Sequence, residues 1–153
     1  MLNRYLLIPT LLIIFFVGYA QSEERSGVSE KEIDLINIFF MKYKSAIEKR
    51  SLLEFKNLHT DQYFEHATDG RKITIDEGLR AFNSLFRAAS VLEASVEVSN
   101  VRREKKELIS DFKVVFDFTV NGKVQSMGSL NKGRFIISNN KVNLAESWVI
   151  SLL

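Results

Sequence analysis

Side chains able to do acid–base or ligand chemistry are sparse in this sequence. It has two histidines and no cysteine. A thiolate metal site, a cysteine nucleophile and a disulfide framework are therefore excluded. His59, Asp61 and His66 fall in one short stretch and offer imidazole and carboxylate donors. They lack the helical spacing that brings two imidazoles to one ion, so no metal is expected. Glu146 shares strand parity with Leu144, Trp148 and Ile150. That parity would turn its carboxylate into an interior, where it would need Arg134 or Tyr43 as a partner. An exposed strand end is the simpler alternative. There is no Gly-rich phosphate loop, no G-x-S-x-G and no carboxylate pair at glycosidase spacing, and no cofactor is expected.

The elements that must position such groups begin after an unusual start. Residues 6–17 are apolar except for Pro9 and Thr10, Arg4 precedes them, and Gly18-Tyr19-Ala20 follows. A basic start, a short apolar run and small residues at −3 and −1 describe a secretory signal over 1–20, with cleavage after Ala20. An uncleaved anchor is the alternative, and only then would the chain meet a membrane. The run falls short of the roughly 20 residues of a spanning helix. The whole chain has 153 residues and a net charge of +2. Arg4 is the only charge in 1–20, so the remaining 133 residues carry +1. That balance argues against a nucleic-acid partner. Export points to a periplasmic or secreted protein. The mixed run Arg102-Arg103-Glu104-Lys105-Lys106-Glu107 reads as a solvated turn.

Residues 21–28 are polar and form a linker, and 29–153 form one domain. Three helix starts share one signature: Ser29 with Glu32, Ser51 with Glu54, and Thr74 with Glu77. A hydroxyl followed three residues on by a glutamate makes a capping box. The spacing predicts helices over about 30–49, 52–58 and 75–89. Ile33, Ile36, Phe40, Tyr43 and Ile47 make the buried stripe of the first. Gly78 inside the third is expected to mark close packing. Residues 63–66 and 72–74 flank Asp69-Gly70 and predict a small hairpin. From Val91 the period falls to two. Four strands follow, turned by Asn121-Gly122 and Ser138-Asn139-Asn140. Helices first and an antiparallel meander after them make an α+β domain, with the helices on one face of a curved sheet. Curvature leaves a hollow, which the twelve Phe of the chain either line or fill.

This order resembles the NTF2-like superfamily (cystatin-like cone), which includes SnoaL-type cyclases, ketosteroid isomerases and scytalone dehydratase. The resemblance covers about residues 29–150. It rests on the apolar first helix, the segment Leu58-His59-Thr60-Asp61-Gln62-Tyr63-Phe64-Glu65-His66, the Asp69-Gly70 turn, the capped third helix, and Arg134-Phe135 before a last strand carrying Trp148. It implies three N-terminal helices on a curved, mainly antiparallel sheet, and a pocket expected to be lined by Phe40, Phe82, Phe86, Phe116, Glu146 and Trp148. Set against ketosteroid isomerases, Tyr43 falls at the oxyanion-donor tyrosine. His66, allowing one gap, falls at the general base, and Asn131 falls at the second donor. Only the tyrosine matches in kind. A histidine is nonetheless a competent base near neutral pH, and Tyr and Asn both donate to an enolate oxygen. The same residues also read as structure: Tyr43 in the core stripe, His66 in solvent, Asn131 shaping a bulge.

The first functional reading is an exported domain that binds a small apolar ligand or acts as an accessory protein, without demonstrable catalysis. A homodimer through the wet sheet face is expected with it. The alternatives are an isomerase or dehydratase with His66 as base, and a membrane-anchored subunit of an envelope assembly.

Overall fold

The computed structural model describes residues 27–153. The signal expected over residues 1–20 and positions 21–26 of the expected linker lie outside the described residues. Each helix begins on a side chain that satisfies the free backbone donors of its first turn. Ser29 caps α1 (Glu30–Glu48) in a complete box, its hydroxyl accepting from the Glu32 N–H while the Glu32 carboxylate accepts from the Ser29 N–H at 2.9 Å. Thr74 and Glu77 repeat the arrangement at α3 (Ile75–Ala88). Ser51 caps α2 (Leu52–Lys56) with its hydroxyl alone. Each such cap stabilises its helix by about 1 kcal/mol. Arg50, at φ +57°, ends α1, and its guanidinium donates to the carbonyls of Phe86 and Ser90. The end of α1 is thereby tied to the end of α3.

Between α2 and α3, β1 (His59–His66) and β2 (Lys72–Thr74) pair antiparallel around the expected turn. The meander follows: β3 (Val91–Glu104), β4 (Glu107–Val120), β5 (Lys123–Ser138) and β6 (Lys141–Leu152). Asn121 and Gly122 both take positive φ, as do Asn139 and Asn140, the requirement of two-residue hairpin turns that match strand twist. The sheet runs β2-β1-β6-β5-β4-β3. Its one parallel pairing sets β1 beside β6, so among the described residues the first strand lies against the last. The charge run at 102–107 is a turn only at Lys105-Lys106. Its remaining members are strand residues that form ion pairs: Arg102 with Asp111 at 3.0 Å, Lys132 with Glu104 at 2.8 Å and Arg134 with Glu107 at 3.3 Å across the sheet, and Arg103 with Glu32 of α1.

Four register shifts interrupt the sheet, one of them between His59 and Phe64 where β1 pairs with β6. One step on β5, from Arg134 to Phe135, spans Glu146 to Leu144 on β6, so Ala145 has no partner opposite. The step from Leu130 to Asn131 likewise leaves Ile150 unmatched. On β3, residues 99–102 face only 109–111 of β4, with Asn100 at φ +48°. Such bulges kink a strand and reverse the faces of the residues beyond them. The inner face takes the helices. Phe39 and Phe40 of α1 pack on Phe135 at 5.3 and 5.8 Å between ring centroids, and Phe40 on Phe112 at 4.8 Å. At that end of the cone the rings fill the interior. At the other end they line a hollow.

Candidate functional site

A cavity of about 290 Å³ lies between α2, α3 and the inner sheet face. Tyr43, Phe55, Phe82, Phe112 and Phe116 supply its aromatic walls. His59, Tyr63, Glu65, Asn131 and Ser147 bring polar groups to it. Gly78 borders it, and a Cβ there would meet no atom within 4 Å. The expected close packing at Gly78 is therefore absent: the glycine widens the hollow instead of admitting a neighbour.

β1 delivers three of these polar groups. His59 is buried, and its Nδ1 lies 2.8 Å from the Phe55 carbonyl oxygen. A carbonyl only accepts, so Nδ1 carries the hydrogen and Nε2 is an acceptor. Burial lowers the His59 pKa to about 4, against which the Phe55 hydrogen bond works. The ring is neutral at pH 7. The Tyr63 hydroxyl lies 2.7 Å from Ser147 Oγ. Ser147 in turn contacts a Glu65 carboxylate oxygen at 3.5 Å, too long for a strong bond. Desolvation raises the Glu65 pKa above the usual carboxylate range, with Ser147 opposing it weakly.

Tyr43 comes from the middle of α1. Burial, reinforced by the Glu65 charge, pushes its phenol well above the ordinary tyrosine value. Its hydroxyl has no hydrogen-bond partner among the described residues, and neither has His59 Nε2. Yet no fully buried side-chain polar atom there lacks a partner. Both atoms therefore open into the cavity they line. Asn131 is buried, and its amide nitrogen donates to the Ser129 carbonyl at 3.2 Å and to the Ser129 hydroxyl at 2.9 Å. Its nitrogen is engaged, and its oxygen accepts no hydrogen bond among the described residues.

Of the three residues assigned by resemblance to catalysis, the structure brings Tyr43 and Asn131 to this cavity and sends His66 to the opposite face. His66 Nε2 lies 2.6 Å from Glu146, whose second oxygen accepts from Arg134 Nε at 3.1 Å. The His66 ring stacks on Trp148, 5.2 Å away and 4° from parallel. Burial opposes ionisation of Glu146, but the His66 and Arg134 hydrogen bonds outweigh it and lower the pKa. Of the six side chains expected to line the pocket, Phe82 and Phe116 do so. Phe40 and Phe86 are buried in the core instead. Glu146 and Trp148 lie on the outer face because Ala145 is an extra residue, which shifts the parity of everything after Leu144. The same alternation in β1 turns Tyr63 and Glu65 inward and Phe64 and His66 outward.

A larger groove of about 650 Å³ runs along α1 past Ile38, Met41 and the β5–β6 turn. Its polar groups, Lys42, Lys49, Glu54, Asn57, Asn140 and Lys141, are all exposed or nearly so. The smaller cavity is where buried polar groups converge, and it is the candidate site. Among the described residues no three metal-ligating side chains cluster, and no helix is long and apolar enough to cross a membrane.

No family model matches the chain, and no curated protein matches it. Solved structures do. A conserved protein from Planctomyces limnophilus is 15% identical, with a TM-score of 0.70 over 78% of this chain and 95% of its own. A ketosteroid isomerase-like protein from Erwinia carotovora atroseptica is 15% identical, with a TM-score of 0.61 over 80% of this chain and 99% of its own. An NTF2-like superfamily protein from Salmonella enterica serovar Typhimurium is 13% identical, with a TM-score of 0.60 over 74% of this chain and 85% of its own. The fold is thus the NTF2-like one, an α+β domain with N-terminal helices on a curved, mostly antiparallel sheet.

Proposed function

We propose that this chain is an exported binding domain that takes a small molecule into the cavity between α3 and the inner sheet face, without catalysing a reaction. One observation carries the reading: the Tyr43 hydroxyl and His59 Nε2 open, unpartnered, into an aromatic-walled space of about 290 Å³. A domain with a purely structural interior would pair or omit such groups. Export rests on Arg4, the apolar run over 6–17 and the small residues before Gln21. Two copies pair through the outer sheet face, where Leu130 and Ile136 stand exposed. A fragment screen read by NMR tests the pocket. Shifts concentrated at Tyr43, His59 and Phe82 are expected, and no perturbation there by any fragment at millimolar concentration refutes it.

The raised pKa of Glu65 favours a second reading, proton transfer at a carbon next to a carbonyl. Glu65 rather than His66 would be the base and Tyr43 the donor. Wild-type rates equal to those of Glu65→Gln and Tyr43→Phe on enolisable ketones would remove it. The anchored-subunit reading rests on the same N-terminal run. A mature N-terminus near Gln21 would end it.

A further inference from the structure

The cavity has a charge composition that the fold does not demand. Its lining includes two carboxyl groups, Glu65 and Glu77, and no Lys or Arg. Glu77 is engaged at the start of α3, accepting from the Thr74 N–H and hydroxyl at 2.8 and 2.9 Å. Glu65 is different. Glu146, also partly buried, is held by His66 and Arg134. Glu104 has Lys132 and Arg102, and Glu32 has Arg103. Glu65 has no cation among the described residues, only the long contact to Ser147. Among the described carboxyl groups whose pKa departs from the ordinary value, it alone is raised. A partly buried carboxylate without a counter-charge is unfavourable unless something supplies one.

What surrounds Glu65 suits a positive guest. The negative faces of aromatic rings attract cations, and Tyr43, Tyr63, Phe55 and Phe82 all border the space. His59 presents a lone pair at Nε2, because Nδ1 holds its hydrogen against the Phe55 carbonyl. The cavity thus offers a charge, an acceptor and π faces to a cation that also donates hydrogen bonds. At the ~30 Å³ of a water-sized group, its volume of about 290 Å³ holds about ten non-hydrogen atoms.

Building on the small-molecule reading of this cavity, we propose that its ligand is a small organic ammonium ion, with nitrogen at Glu65 and an apolar body between Phe55, Phe82 and Phe116. Calorimetric and NMR titrations of the full domain with three probes of similar size test it: 2-phenylethylammonium, the neutral 2-phenylethanol and the anionic phenylacetate. At pH 7.5 the ammonium binds at least tenfold tighter than the other two. Glu65→Gln abolishes that preference while changing alcohol affinity less than threefold. In the wild type the preference also shrinks as pH falls and Glu65 takes up a proton, which needs no variant to fold. Equal binding of alcohol and ammonium overturns the charge assignment and leaves the pocket standing. A preference that survives Glu65→Gln overturns it as well. Failure of every probe to perturb the Tyr43 and His59 resonances overturns this inference and the pocket reading together.

Discussion

Replacing His59 by Phe should reverse its effect on stability between neutral and acid pH. The ring is 7% exposed and its burial lowers the pKa to about 4 from 6.5. The unfolded chain therefore binds a proton that the folded chain refuses across that window, and stability falls as pH falls through it. At about 1.4 kcal/mol per pH unit, the wild type loses about 3 kcal/mol at this one site by pH 4. Phe keeps the ring packed against Phe55 and Tyr63 and does not titrate, and the cavity beside it accommodates the larger group. It forfeits the 2.8 Å bond to the Phe55 carbonyl, a loss of about 1 kcal/mol. The wild type should thus be about 1 kcal/mol more stable at pH 7 and about 2 kcal/mol less stable at pH 4, the curves crossing near pH 6. Urea melts at half-unit pH intervals read this directly. With a slope of about 2 kcal/mol per molar, the gap in midpoints moves by about 1.5 M across the range. Glu65 titrates in both proteins and cancels in the difference. A gap independent of pH would mean that folded His59 takes its proton as readily as the unfolded chain does, and the desolvation of the ring by burial would fall with it.

Tyr43→Phe removes a hydroxyl without a partner and should leave stability within about 0.5 kcal/mol, whereas Tyr63→Phe deprives Ser147 of its 2.7 Å partner and should cost about 1 kcal/mol. Equal losses in thermal melts would place the Tyr43 hydroxyl in a bond rather than in the cavity. Gly133→Ala puts a Cβ 2.9 Å from the Phe112 and Phe135 rings and should destabilise by about 1–3 kcal/mol. Gly78→Ala meets nothing and should stabilise α3 by about 1 kcal/mol, so urea midpoints moving the same way in both would contradict the packing described. Glu65 has a raised folded-state pKa, so its contribution is complete below the unfolded pKa and is lost as pH rises through the folded one. Glu65→Gln should therefore be more stable than wild type at pH 8, with the advantage fading toward pH 4, and an advantage that grows on acidification would show that the carboxylate has a cation partner.

The local chemistry of the chain was legible in its residues. Ser29, Ser51 and Thr74 cap the helices that their spacing announced, and Asn121-Gly122 turns the hairpin. These are short-range features, in which donor, acceptor and backbone angle lie within three or four residues. The parallel contact of β1 with β6 joins residues more than eighty apart, and nothing in either segment encodes it locally. The run at 102–107 illustrates the same limit. Read alone it is a polar turn, and its ion pairs exist because Asp111, Lys132 and Glu32 arrive from elsewhere.

The site was half legible for a related reason. Strict alternation along the last strand sends Glu146 inward with Leu144. A single unmatched residue, Ala145, sends it outward, where it meets His66 and Arg134. Because side chains in a strand alternate with period two, one extra residue exchanges the whole set between core and surface. The same exchange governs β1. The segment Tyr63-Phe64-Glu65-His66 contains two interleaved pairs, and either could face a pocket on composition alone. His66 is the candidate base on resemblance, yet Tyr63 and Glu65 turn inward and meet Ser147 across the β1–β6 pairing. Without the bulge at Ala145, Ser147 would point away and Tyr63 would have no hydroxyl to meet. The extra residue therefore does more than bend the sheet: it carries Glu146 out of the interior to His66 and Arg134, while β1 leaves Glu65 at the cavity without a cation among the described residues.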